Sequence, residues 1–298
     1  MPRTRIALLT STGAWQTDED AEVLVEALAS EGIEAEPAIW DSLKVDWAQY
    51  SAAILRSPWD YSDRPEQFLA TLERIQLATA VLNPIEVIRW NIDKHYLADL
   101  AQAGLPVVPT TFISARNSLQ DNDFPIDGCF VVKPTIGAGS RNTARYTQTQ
   151  RRAATAHVER LLDAGQEVIV QPYIDSVDQL GETGMVFFSG EFSHGFRKSA
   201  LLRQGQANVD GLFAVEEIAP REPSQAEREL AEQVLRITAD RFNSSTVLYA
   251  RVDVLKDPQG QPLLLELEMT EPSYFLSTDP SSPARAAAAY AAALNHAS

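Results

Sequence analysis

Short apolar runs of strand length alternate with helical spacing over the first ninety residues. Arg5-Ile6-Ala7-Leu8-Leu9-Thr10 predicts a buried strand, and it leads into the loop Ser11-Thr12-Gly13. From about Asp20 the spacing becomes helical: Val23, Leu24, Ala27 and Leu28 share a face, and Gly32 stands where a left-handed residue ends the helix. Ala52 to Arg56 predicts a second buried strand, and Pro65 opens a helix carrying Phe68, Leu69, Leu72 and Ile75. Strand and helix in alternation imply a parallel sheet with helices on its faces.

Beyond residue 90 the pattern changes. A helix near Asn91–Ala103 ends at Gly104, and Pro106 and Pro109 bracket an extended segment. Two apolar runs follow, Cys129-Phe130-Val131-Val132-Lys133-Pro134 and Val168-Ile169-Val170-Gln171-Pro172, with a polar helix from about Gln150 to Ala164 between them. The proline closing each run would stop a central strand, because it cannot donate to the ladder. Thr183 to Arg197 reads as a hairpin broken by Ser189-Gly190. A helix follows Ser224 with the capping-box spacing Ser224-x-x-Glu227, two strands flank the turn Asp257-Pro258-Gln259-Gly260, and Pro283 opens a closing Ala-rich helix. The expected class is α/β passing into α+β. Its boundaries divide the chain into 1–92, a parallel α/β unit, and the α+β units 93–175 and 176–298.

Charge narrows the function classes. The 298 residues carry 25 Lys+Arg against 41 Asp+Glu, a net charge of −16, which argues against non-specific binding to nucleic acid or to an anionic membrane surface. A single cysteine, Cys129, lies in an apolar run and reads as a buried inert thiol. No apolar run matches a membrane span or a secretory signal, so a cytoplasmic protein is expected.

The sharpest chemistry lies in Arg251-Val252-Asp253 and Leu263-Leu264-Leu265-Glu266-Leu267-Glu268. Strand side chains alternate faces, so Arg251, Asp253, Glu266 and Glu268 share one face while Val252, Val254, Leu265 and Leu267 share the other. Across the turn Asp253 and Glu266 fall roughly diagonal, within reach of a common ion. Carboxylates this close repel unless a cation lies between them, and Mg²⁺ with nucleotide phosphates suits the set. A solvated hairpin face is the plain alternative, although Glu is a poor strand former.

Lys133 ends a predicted strand and precedes Pro134-Thr135-Ile136-Gly137-Ala138-Gly139-Ser140. This is neither a Walker A loop nor a dinucleotide fingerprint, but a small-residue loop with free N–H groups can close over phosphates while the ammonium pairs with them. Alone it also fits a snorkelling lysine before an ordinary turn. Asn91-Ile92-Asp93-Lys94 places Lys94 on the first turn of a helix, where a cation opposes the helix dipole unless it reaches outward to an anion. Gln171-Pro172-Tyr173-Ile174-Asp175 leaves a strand with backbone groups free to read an adenine edge, with Asp175 or Asp178 for ribose hydroxyls. His95, His157, His194 and His296 have neither metal spacing nor a nucleophile partner.

Taken in this order, Lys94, Val-Val-Lys133-Pro, the Gly137–Ser140 loop, Val-Gln171-Pro-Tyr173-Ile174 and Arg251-x-Asp253 … Glu266-x-Glu268 resemble the ATP-grasp superfamily of carboxylate–amine ligases. The likeness spans about residues 91–275. It departs at Glu268, where the family usually has Asn. The resemblance implies two α+β subdomains clasping ATP, two Mg²⁺ ions, and an N-terminal subdomain for a small amino-acid-like acceptor. Arg56-Ser57-Pro58-Trp59-Asp60-Tyr61 then becomes the acceptor loop, since ligands of α/β sheets lie at strand ends. Arg56 would grip a carboxylate bidentately and Asp60 an ammonium, with Trp59 and Tyr61 as walls; a structural Trp–Arg stack is the alternative. Arg197-Lys198, with Arg251, would face an acyl phosphate; a solvated pair is the alternative for the first two.

The segments Arg56–Tyr61 and Glu266-Leu-Glu-Met-Thr-Glu-Pro-Ser273 resemble a small RimK-like branch. That likeness implies ring closure of O-ureido-D-serine to D-cycloserine, in which one molecule carries both carboxylate and nitrogen. Intermolecular amino-acid or peptide ligation, and nucleotide sensing without turnover, are the other readings. Homo-oligomerisation stays open.

Overall fold

The structure is a computed structural model that describes residues 4–115, 119–120, 123–200, 217–243 and 247–297. The chain begins with β1 (Thr4–Thr10), α1 (Ala21–Ser30), β2 (Ile33–Ile39), β3 (Ala52–Ser57), α2 (Pro65–Gln76), β4 (Ala80–Leu82) and α3 (Ile85–Asn91). The four strands pair in parallel in the order β2-β1-β3-β4. The continuous apolar run of β1 follows from its central place. Ile6 and Leu8 pack against α1 on one face, and Ala7 and Leu9 pack with Trp40, Phe68 and Leu72 on the other. The pattern did not predict β2. Glu34, Glu36 and Pro37 interrupt its apolar positions, which an edge strand tolerates because one side makes no ladder. On α1, Leu24 and Leu28 are buried as expected, whereas Val23 is exposed.

The second unit comprises α4 (Tyr96–Gln102), β5 (Thr111–Ile113), β6 (Phe130–Pro134), β7 (Ala144–Tyr146), α5 (Arg151–Asp163) and β8 (Val168–Pro172). Its strands pair antiparallel in the order β5-β8-β6-β7, and Ala154, Val158 and Leu161 of α5 cover one face. Pro134 and Pro172 terminate the two central strands, each opposite the first residue of the other. The single helix expected over about 91–103 is two helices. The chain breaks at Ile92–His95, where the Lys94 N–H leaves the helix to donate to the Thr135 carbonyl at 3.0 Å.

The remaining elements are α6 (Val177–Leu180), β9 (Glu182–Phe188), β10 (Glu191–Lys198), β11 (Ile218–Pro220), α7 (Gln225–Arg241), β12 (Tyr249–Lys256), β13 (Pro262–Glu268) and α8 (Ser282–Ala297). The five strands form an antiparallel sheet in the order β11-β10-β9-β12-β13. Both predicted local signals are present: the Ser224–Glu227 capping box, and a Gly260 N–H to Asp257 carbonyl bond of 2.9 Å closing the β12–β13 turn. The last helix returns to the first unit. Ala286, Ala287, Tyr290 and Leu294 of α8 share one apolar cluster with Ile6, Leu8, Leu24 and Leu28. No helix among the described residues is long and apolar enough to cross a membrane.

Candidate active site

A cleft of about 550 Å³ lies where the three sheets face one another. One wall comes from the second unit: Lys133 near the end of β6, the loop Gly137–Ser140, and Gln171, Tyr173 and Ile174 at the exit of β8. Gly139 and Ser140 both take left-handed conformations, at φ 62° and 58°, which turns the loop back over the cleft. The floor is the β12–β13 ribbon. Arg251 stands opposite Glu268 and Asp253 opposite Glu266, so the two carboxylates are directly paired rather than diagonal.

Ion pairs organise this floor. The Lys94 ammonium lies 3.0 Å from Glu266 and donates to the Gly137 carbonyl at 3.2 Å, which ties the ribbon to the glycine loop. The break between α3 and α4 makes this reach possible, so Lys94 stands in a connection and not on a first helical turn as the spacing suggested. Lys198 lies 3.4 Å from Glu182 and 3.5 Å from Asp253. Arg251 pairs with Asp253 at 2.9 Å, donates to Glu268, and donates to the Ser273 carbonyl at 3.1 Å. Among the described residues Lys133 has no ion pair.

These contacts separate the carboxylates. Burial raises the Glu266 proton affinity, but Lys94, Lys133 and Lys198 outweigh it and hold the group well below the usual carboxylate range. Glu268 goes the other way: burial pushes it up, and Glu266 and Asp253 add to the rise against Arg251. Glu271 is pushed up to about 8, first by burial and then by Glu268. Burial lowers Lys133, and the neighbouring Lys94 and Lys198 add to that, with Glu266 opposing.

Glu266 and Glu268 open into the cleft, whereas Asp253 is buried behind them and engaged by Arg251 and Lys198. Among the described residues no three His, Cys, Asp or Glu side chains are already gathered as a metal site; of the expected trio, Glu266 and Glu268 face the cleft and Asp253 stands directly opposite Glu266 behind them. Two hard oxygen donors facing a cleft rich in cations fit Mg²⁺, which typically takes only one or two protein carboxylates and completes its shell with phosphate and water.

The third wall comes from the first unit and the segment after β13: Glu19, Trp59, Tyr61, Glu271, Ser273 and Phe275. The Tyr61 hydroxyl lies beside the Glu271 carboxyl and lowers its proton affinity. Sequence spacing missed Glu19, Glu182, Glu271 and Arg141, which also lines the cleft and pairs with Asp63 across its mouth. The tail of Glu266-Leu-Glu-Met-Thr-Glu271 carried the one available signal, a third acidic residue beyond the strand.

Five expected site residues fall elsewhere. Arg56 has 0% exposure and pairs with Asp18 and Asp20 beneath the cleft wall. Asp60 accepts from the Trp40 indole at 2.8 Å and pairs with Arg64, so it is occupied within the first unit. Asp178 accepts from Tyr173 and Arg145, outside the cleft. Arg197 donates to the Leu180 carbonyl at 2.9 Å and to Ser199, on the face of β10 opposite Lys198. Asp253 is the fifth, close behind its neighbours. Lys94, Lys133, Gly137, Gly139, Ser140, Gln171, Tyr173, Ile174, Lys198, Arg251, Glu266, Glu268, Trp59 and Tyr61 are brought together around the cleft.

A family model described as the N-terminal domain of D-cycloserine synthetase DcsG matches residues 6–83. The cycloserine biosynthesis protein DcsG of Streptomyces lavendulae is 37% identical over 280 residues, covering 91% of this chain and 93% of that protein. The chain belongs to the DcsG family. The crystal structure of D-cycloserine synthetase DcsG superposes with a TM-score of 0.89 at 36% identity, covering 97% of this chain and 99% of that one. D-alanine–D-alanine ligase from Bacillus anthracis, complexed with ATP, superposes with a TM-score of 0.66 at 17% identity, covering 99% of this chain and 95% of that one. The fold is therefore that of the ATP-grasp ligases, and this member of the DcsG family is a ligase of that type.

Proposed function

We propose that this DcsG-family ligase uses ATP and Mg²⁺ to close O-ureido-D-serine to D-cycloserine. The observation that carries the reading is the single cleft in which Lys94, Lys133, Lys198 and Arg251 meet the open carboxylates Glu266 and Glu268, with a wall from the first unit at one end. The relatives' names supply the product class. The residues supply the chemistry, and the units 1–92, 93–175 and 176–298 divide the work as acceptor holder, nucleotide cradle and ribbon floor.

Lys133 and Lys94 would face the triphosphate, and the left-handed turn at Gly139-Ser140 would bring backbone N–H groups over it. The β8 exit at Gln171, Tyr173 and Ile174 would hold the base. Glu266 and Glu268 would hold Mg²⁺, which offsets triphosphate charge when bound; the resemblance implies two ions. Lys198 and Arg251 would face the acceptor carboxylate as it takes the γ-phosphoryl group. The nitrogen bonded to oxygen in the same molecule then attacks the acyl carbon and phosphate leaves. To reach D-cycloserine the bond from that nitrogen to its carbamoyl carbon must also be hydrolysed, water taking the carbamoyl off as carbon dioxide and ammonia while the ring nitrogen keeps a proton. The protein's part is positioning and charge stabilisation, the terms that dominate phosphoryl transfer.

The test is turnover of purified protein with ATP, MgCl₂ and O-ureido-D-serine, followed by ADP release and mass spectrometry of the product. Stoichiometric ADP and D-cycloserine support the reading. ADP release that requires two separate amino acids, or none with any carboxylate, sinks it.

A further inference from the structure

Two buried side chains of the first unit hold a peptide more than two hundred residues away. The Asp20 carboxylate accepts three backbone N–H groups: Tyr274 at 2.6 Å and Phe275 at 3.0 Å on Oδ2, and Leu276 at 2.7 Å on Oδ1. Arg56 Nη1 donates to the Pro272 carbonyl at 3.1 Å, and its Nη2 lies 3.3 Å from Asp18 and 3.5 Å from Asp20. The guanidinium sits 4.0 Å from the centre of the Tyr274 ring. From the opposite side Arg251 donates to the Ser273 carbonyl. Every residue from Pro272 to Leu276 is thus held by a charged side chain.

The held peptide alternates. Pro272 and Tyr274 turn toward the clamp, while Glu271, Ser273 and Phe275 line the cleft at its acceptor end. Phe275 is left-handed at φ 51°, a conformation costing a non-glycine residue about 1 kcal/mol, so surrounding contacts must impose it. Charge-assisted bonds shielded from water are strong enough to do so. Arg56 cannot touch a ligand at 0% exposure; Asp20 borders the cleft, but it is 3% exposed and both its oxygens are engaged by backbone N–H groups.

We propose that Asp20 and Arg56 are positioning residues that set acceptor affinity by fixing the 271–275 wall. The inference rests on the reading that this end of the cleft holds the acceptor. Misplacement of a wall by about 1 Å can cost up to about 100-fold in an enzyme site.

Asp20→Ala and Arg56→Lys are compared with the wild type in steady-state ADP release and in backbone amide exchange. The expected result is a KM for O-ureido-D-serine raised about ten-fold or more in Asp20→Ala and less in Arg56→Lys, with the KM for ATP within about two-fold. Amides of Tyr274, Phe275 and Leu276 should exchange about ten-fold faster while the β6–β8 amides do not change. Loss of folded enzyme alone would lower apparent kcat and leave both KM values unchanged, and that outcome overturns the proposal. If Asp20→Ala does not fold, Arg56→Lys carries the same measurements. If the wild type turns over no O-ureido-D-serine, the functional reading falls, and exchange decides: acceleration confined to 274–276 supports the clamp, and unchanged rates there overturn it.

Discussion

The two ends of the cleft are built differently. The wall from the second unit consists of strand ends and one tight loop, so Lys133, Gly137–Ser140 and Gln171–Ile174 reach the cleft from segments contiguous in sequence. The other end, which we propose holds the acceptor, is assembled from Trp59 and Tyr61 of one unit and Glu271, Ser273 and Phe275 of the far end of the chain, joined by the Asp20–Arg56 clamp. The first kind of site repeats its chemistry in spacing. The second depends on which distant segments meet. Substitutions in the strand-built half should therefore act on ATP and chemistry, and substitutions in the assembled half on the acceptor.

The largest effect is expected at the floor both halves share. Glu266 is held ionised by three lysines and opens into the cleft. Glu266→Gln keeps the shape and removes the charge that pairs with Lys94 and that we propose holds Mg²⁺. Turnover with ATP and Mg²⁺ should fall about 1,000-fold or more, equivalent to about 4 kcal/mol, with an unchanged far-UV circular dichroism spectrum. Near-normal activity would remove Glu266 from the chemistry.

Lys133→Ala tests the strand-built half alone. The ammonium has no direct ion pair among the described residues and lines the cleft, with Glu266 and Glu182 acting on it from farther away. Its loss should raise the KM for ATP about 10- to 100-fold and change the acceptor KM little. An effect confined to the acceptor would place the triphosphate elsewhere and break the division between the halves.

Legibility follows the same line. The α/β alternation, the ribbon Arg251–Glu268 and the capping box were readable because each is local and periodic. Strand β2 was not, because an edge strand needs no unbroken apolar face and Glu34, Glu36 and Pro37 hide it. The role of Arg56 is hidden for a related reason. A cation at the end of a buried strand looks the same in sequence whether it meets a ligand or a buried carboxylate from the next loop, and here Asp18 and Asp20 meet it. Asp60 likewise has Trp40 and Arg64 as partners that spacing does not show.

Glu271 offers a pH test of the assembled half in the absence of ligand. Its carboxyl is pushed up to about 8 in the folded state by burial and by Glu268, against about 4.3 in an unfolded chain. Between those values the folded protein holds a proton that the unfolded chain has released, so the group's contribution to stability falls as pH rises through the window. Glu271→Gln has no proton to lose. The variant should gain on the wild type by on the order of 1–3 kcal/mol between pH 4 and pH 8 in denaturant titrations. A constant difference across that range would mean that Glu271 ionises freely.

The smallest effect separates two adjacent basic residues of β10. Arg197 and Lys198 were both expected at an acyl phosphate, yet neighbouring strand residues point to opposite faces, so a flat strand presents only one of them. Lys198 turns to Glu182 in the cleft and to Asp253 behind it, and Arg197 turns out to the Leu180 carbonyl and Ser199. Arg197→Ala should therefore change kcat and both KM values by less than about two-fold and cost about 0.5–1.5 kcal/mol of stability through the lost carbonyl bond. Lys198→Ala, one residue on, should lower kcat about 100-fold by removing charge beside the reacting groups. Equal losses from the two variants would mean that β10 twists enough to bring both side chains to the substrate, and the face assignment of this strand would have to be redrawn.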